Sequence, residues 1–226
     1  MDERLVADQV NLRLPAKGLV VLTGERGSGK TALLRCLAGF DLRGQADVGG
    51  AITLEGRPAA RDELRSVAAY VSEQAPPLSD SVRDNLVSGI ADWRELGYAQ
   101  CVAKVRRHLL RLGFARIAGA FESPLIAMPL FAQTQIAIAR ALLRDPRLLL
   151  VDGIADYVED DELRQLVELL DREASCRAVL LATRHVHVAA AMGGTRFSIA
   201  EGRVIAAQPV RTREPTAQLT GTCDGR

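Results

Sequence analysis

The segment Gly24-Glu25-Arg26-Gly27-Ser28-Gly29-Lys30-Thr31 fits the phosphate-binding pattern G-x-x-x-x-G-K-S/T at every position. Before it, Gly18-Leu19-Val20-Val21-Leu22-Thr23 is a short apolar run that reads as a buried strand. After it, Ala32-Leu33-Leu34-Arg35-Cys36-Leu37-Ala38 reads as a helix. Strand, glycine-rich loop and helix in that order are the setting of a P-loop. Glycines let the backbone wrap closely, with N–H groups turned toward phosphate oxygens. The helix adds its positive end. Residues 24–31 are therefore predicted to hold a nucleoside triphosphate. The Lys30 ammonium would reach the β- and γ-phosphates, and the Thr31 hydroxyl would ligate Mg²⁺. Glu25 and Arg26 fill variable positions, where backbone N–H groups matter more than side chains.

Bulk properties bound the rest. The 226 residues suffice for one α/β domain with a sizeable core. Hydrophobic residues make up 48% and charged residues 25%, a soluble globular profile. A net charge of +1 implies no bulk pull toward nucleic acid or anionic membrane. Cys36, Cys101, Cys176 and Cys223 lack C-x-x-C spacing, so free thiols in a reducing cytoplasm are expected and a zinc site is not. The N-terminus has no signal-peptide pattern, and no apolar run approaches a membrane span. A cytoplasmic protein is expected, reaching a membrane only by docking onto another chain.

Strands alternate with helices along the chain. An early strand is expected over residues 5–14, and a strand and turn over residues 51–57. A short helix is expected over 62–67 and a buried strand over 67–71. Residues 79–144 read as mainly helical, with Leu109, Leu110, Leu112 and Phe114 near one apolar side. Leu148-Leu149-Leu150-Val151 fits a central parallel strand. An amphipathic helix over 162–173, a strand over 178–182 and a final hairpin over 197–205 follow. The fold expected is an α/β core (1–207) with a helical subdomain (79–144) and a flexible tail (208–226).

Beyond the P-loop, Gln74 follows a strand. Ile136-Ala137-Ile138-Ala139-Arg140-Ala141-Leu142-Leu143-Arg144-Asp145-Pro146-Arg147 then leads into Leu148–Asp152. With these stretches the chain resembles the nucleotide-binding subunit of an ATP-binding cassette (ABC) transporter, from about residue 5 to residue 205. The resemblance implies a P-loop NTPase core of ABC-ATPase type, with a helical subdomain and an N-terminal antiparallel β region. It implies ATP and Mg²⁺ as cofactors and a membrane permease as partner. Gln74 would stand at the family's Q-loop and ligate Mg²⁺ through its carbonyl oxygen. Asp152 would be the Walker B carboxylate, holding Mg²⁺ through water.

Three departures from the family pattern shape the functional expectation. Gly153 stands where the family carries the catalytic glutamate, and losing a general base costs about 10²- to 10⁴-fold in rate. Asp156, Glu159 and Asp160 are nearby acids without the family spacing. Met128-Pro129-Leu130-Phe131-Ala132 stands in the register of the L-S-G-G-Q signature, and Pro129 has no backbone N–H. Arg184 stands at the switch histidine, with His185 one place later as a possible substitute; arginine cannot accept a proton.

ATP binding with weak hydrolysis is therefore expected, beside a second ABC ATPase subunit or a second copy. A working ATPase with displaced residues, or a soluble P-loop protein of another class, are the alternatives. Modest charge and the lack of a basic patch argue against nucleic acid.

Overall fold

The computed structural model describes residues 10–42, 49–73, 81–200 and 203–209. The apolar run ahead of the P-loop forms β1 (Gly18–Thr23), whose four central residues are buried. Burial on both faces explains a continuous apolar run rather than an alternating one. β1 pairs in parallel with β6 (Ala178–Thr183) on one side and β7 (Thr195–Ala200) on the other. β6 pairs in parallel with β5 (Leu148–Asp152), and β5 with β4 (Ala68–Ser72). β8 (Arg203–Pro209) closes the far edge antiparallel to β7. The resulting sheet runs β4-β5-β6-β1-β7-β8.

Helices cover both faces. α1 (Lys30–Leu37) sends Leu34 into a cluster with Val20, Leu22, Leu150 and Leu180. α7 (Asp160–Ala174) sends Leu166 and Leu170 against Val21, Val151 and Leu181 on the other face. Alternate residues of β1 thus serve two cores. Each fully buried leucine contributes about 1.5–3 kcal/mol. α7 starts with a capping box, Glu159 accepting from the backbone of Glu162 while the Glu162 side chain accepts from Glu159 N.

The mainly helical stretch resolves into α3 (Val82–Val87), α4 (Tyr98–Arg111), α5 (Ala115–Gly119) and α6 (Leu130–Leu142). Ser81 caps α3 by accepting from Asp84 N at 3.1 Å. Cys101, Val105 and Leu109, four residues apart, are the buried face of α4. Leu110 is 63% exposed and leaves the expected apolar stripe, while Leu112 and Phe114 stay in it. His108 ties α4 to α6, its Nε2 lying 3.0 Å from Ala139 O. Burial pushes its pKa down to about 4, so the ring is neutral and Nε2–H donates.

Some expectations shift. Residues 10–14 form no strand, and residues 5–9 lie outside the described ones. The antiparallel piece on the N-terminal side is a hairpin of β2 (Thr53–Leu54) and β3 (Arg57–Pro58), followed by α2 (Arg61–Val67). Its turn passes through Glu55 and Gly56, both at positive φ. β8 extends to Pro209, two residues past the expected domain end. Gln74 and residues 210–226 lie outside the described residues. Cys36 and Cys101 are free thiols, but Cys176 is disulfide-bonded. The free-thiol expectation fails there because spacing along the chain does not reveal which cysteines meet in space.

Candidate nucleotide site

β1 delivers the chain into the P-loop with no room to spare. A Cβ on Gly24 would come 2.5 Å from Ile199 O and 2.8 Å from Ser28 Oγ, so only glycine fits. Gly29 caps α1 at φ +100°, a left-handed turn that suits glycine. The first turn of α1 holds no acidic residue to offset its positive end. Glu25 and Arg26 are exposed, consistent with a backbone role.

The Lys30 ammonium is folded into the loop. It donates to Gly24 O at 2.6 Å, Glu25 O at 2.8 Å and Ser28 Oγ at 3.2 Å. Its pKa is lowered, first by burial and then by the charge of Arg184, while Asp156 and Asp152 act to raise it. Two cations and two carboxylates therefore share one end of the sheet. Thr31 opens α1 on the exposed side.

Asp152 ends β5 between Ser72 of β4 and Ala182 of β6. It is buried, and the Tyr70 hydroxyl donates to its Oδ2 at 2.8 Å. Burial first and this hydrogen bond second push the Tyr70 pKa well up, so the phenol stays protonated. Asp152 keeps lone pairs for a water-bridged Mg²⁺, and Thr31 supplies a hydroxyl oxygen. Hard oxygen donors of this kind suit that ion.

The turn after Asp152 is built on a glycine for a backbone reason. Gly153 sits at φ +72°, its N–H donates to Ala182 O at 3.1 Å, and its carbonyl accepts from Asp156 N at 3.0 Å. That turn directs Asp156 toward the end of β6. Asp156 Oδ1 accepts from Thr183 Oγ1 at 2.5 Å and from Arg184 N at 3.3 Å. Its Oδ2 lies 3.3 Å from Arg184 Nε. His185 sits against the same arginine, with Nε2 3.2 Å from Arg184 Nε, and its N–H donates to Thr183 Oγ1 at 3.1 Å. The structure thus pairs Asp156 with Arg184 and sets His185 against that arginine, with Lys30 and Asp152 within electrostatic reach.

At the signature register, Pro129 is the N-cap of α6 and Leu130 is exposed. Phe131 packs partly against the core, and the Gln133 amide donates to Met128 O at 2.9 Å. The N–H groups of residues 130–132 start the helix without intrahelical acceptors.

The sequence reading missed two residues outright. Tyr70 meets Asp152 across 82 positions. Glu73 N donates to Asp152 O at 3.2 Å, which carries the β4–β5 pairing one step past Ser72. Asp156 stood only as a nearby acid. Parallel register is the signal that would have found Tyr70 and Glu73, and it is not written in either strand alone.

The profile of the ABC transporter family matches residues 7–155. The chain belongs to that family. The aliphatic sulfonates import ATP-binding protein SsuB 2 of Pseudomonas aeruginosa is 33% identical over 222 residues, covering 96% of this chain and 74% of the relative. The Escherichia coli K12 protein SsuB is 31% identical over 206 residues, covering 89% and 74%. In fold, the chain is similar to CbiO1 of Clostridium perfringens, part of the ABC transporter complex cbiONQ. The TM-score is 0.72 at 20% identity, covering 89% of this chain and 81% of that one. This ABC domain therefore has the expected α/β ATPase fold and is an ATP-binding subunit of the ABC type. Membership sets aside a P-loop protein of another class.

Proposed function

We propose that this ABC domain binds Mg-ATP through residues 24–31, Thr31 and Asp152, with Gln74 as a further Mg²⁺ ligand, and works with a membrane permease. Bound Mg²⁺ would offset charge on the terminal phosphates. The carrying observation is Lys30 seated inside an intact glycine cradle while the turn after Asp152 offers Gly153. Binding groups are present, while position 153 itself offers no acid to orient water. Turnover by the isolated chain is then slow, and pairing with a second ABC ATPase subunit would supply complete catalytic parts. A pair of identical chains would lack them in both sites. The import proteins among its relatives support a role on the import side.

No described helix is long and apolar enough to cross a membrane, so the proposed membrane contact runs through the permease at the cytoplasmic face. A cavity of about 420 Å³ between sheet and helical subdomain is lined by Phe40, Arg65, Tyr70, Ser88, Arg140 and Arg144, among others. Its basic lining fits a permease segment bearing acidic side chains. Tyr70 reaches from this cavity to Asp152, a short physical link between partner and metal ligand.

The test is a paired measurement on the purified chain. Mg-ATP is expected to bind with a Kd of roughly micromolar to tens of micromolar. Phosphate release is expected about 10²-fold or more below that of a relative with the glutamate in place. Release at the relative's rate would sink the low-turnover reading, and failure to bind would sink the nucleotide reading.

A further inference from the structure

We propose that Glu73 supplies the carboxylate that position 153 lacks. The inference rests on the reading that Mg-ATP occupies residues 24–31. Its first support is register. Ser72 pairs with Asp152 in a parallel ladder, and Glu73 N donates to Asp152 O at 3.2 Å. Glu73 is thereby carried alongside Gly153, one step past the last paired residues. Its second support is the position of the acid. Glu73 Oε2 lies 3.4 Å from where a Cβ on Gly153 would be. A carboxylate reaching from the end of β4 thus stands against the place from which a side chain at 153 would start. The acid has changed strands and stayed beside Asp152.

Asp156 is the rival, and its contacts weigh against it. One of its oxygens accepts from Thr183 and from the Arg184 N–H, and the other faces the Arg184 guanidinium. With one oxygen taken by two hydrogen bonds and the other by an ion pair, the Asp156 carboxylate is already committed to protein partners. Glu73 is exposed at the strand end, where a water molecule has access to it.

The step assigned to Glu73 is slow hydrolysis. A water oxygen forms a bond to the γ-phosphorus while the bond from that phosphorus to the β,γ-bridging oxygen breaks. The water proton passes to the Glu73 carboxylate and from there to solvent. ADP and inorganic phosphate leave, and nothing is oxidised or reduced. Glu73 would act from a longer, strand-end position, in keeping with a rate below that of the family's usual arrangement.

The experiment measures phosphate release and ATP binding separately on the full chain, using Mg-ATP, for wild type, Glu73→Gln, Glu73→Asp and Asp156→Asn. Glu73→Gln is expected to cut kcat about tenfold or more while ATP affinity stays within about twofold. Glu73→Asp is expected to restore part of the rate. Wild-type release at background with ATP bound would overturn the proposal. So would a Glu73→Gln rate equal to wild type, or a loss confined to Asp156→Asn. A chain that binds no ATP would overturn this proposal together with the nucleotide reading, which separates the two failures.

Discussion

The loop between β1 and α1 carries every glycine and both side chains of a phosphate cradle. The turns after β5 and β6 carry Gly153 and Arg184, which the resemblance sets at the glutamate and histidine positions. The first region is held by contacts that leave no latitude: Gly24 against Ile199 O, Gly29 at φ +100°, Lys30 bonded to two carbonyls. The second is held just as firmly, through Gly153 N to Ala182 O and Asp156 to Thr183 and Arg184, but its contacts tie the protein to itself. Both regions are held by specific contacts, so the difference lies in which groups they present. Gripping a phosphate and cleaving it rest on separable parts, and interactions equal in ground and transition states give affinity without rate.

Lys30→Ala probes the first region and is expected to have the largest effect. Removing a charge-assisted donor from the cradle should weaken ATP and ADP alike by about 10²-fold, roughly 3 kcal/mol. A fluorescence titration of both nucleotides checks it. Affinity within about threefold of wild type would break the comparison at its stronger side.

Arg184→Gln probes the second region. The Arg184 charge already acts on Lys30, so it lies within electrostatic reach of the cradle. A guanidinium there would leave Asp156 for the terminal phosphate of ATP and find no such group on ADP. ATP affinity is expected to fall about tenfold, near 1.4 kcal/mol, with ADP unchanged. Equal losses for both nucleotides would make Arg184 a structural partner of Asp156 and nothing more.

Legibility followed distance along the chain. The cradle could be read because strand, loop and helix are consecutive, and each has its own local signature in apolar runs and glycines. β5 and β6 were legible for the same reason, as short apolar runs buried on both faces. What could not be read was what meets across the sheet. Tyr70 reaches Asp152 over 82 positions and Thr183 reaches Asp156 over 27, through strand order that no local pattern encodes. Gly153 was legible as a missing side chain, but its left-handed backbone was not. That φ depends on the turn that brings Asp156 under β6. Beside Gln74 in the sequence Glu73 carries no motif of its own, and only the ladder between β4 and β5 puts it beside Gly153.

The smallest effect asks why a glycine stands at 153. At φ +72° an L-residue pays roughly 1–2 kcal/mol for the left-handed turn. Gly153→Ala should therefore lower stability by that amount and Tm by about 2–8 °C for a chain of this size. Gly119, at the end of α5 with nothing within 4 Å of an added Cβ, is the control. Gly119→Ala is expected to leave stability level or raise it by about 0.5 kcal/mol. Thermal unfolding of the two variants beside wild type decides. A drop at 153 alone means that backbone geometry holds the glycine there, so that placing Glu at 153 would strain the turn and crowd Glu73. A Gly153→Ala protein as stable as wild type would mean that the turn tolerates a side chain, and the backbone would then give no reason for a glycine at 153.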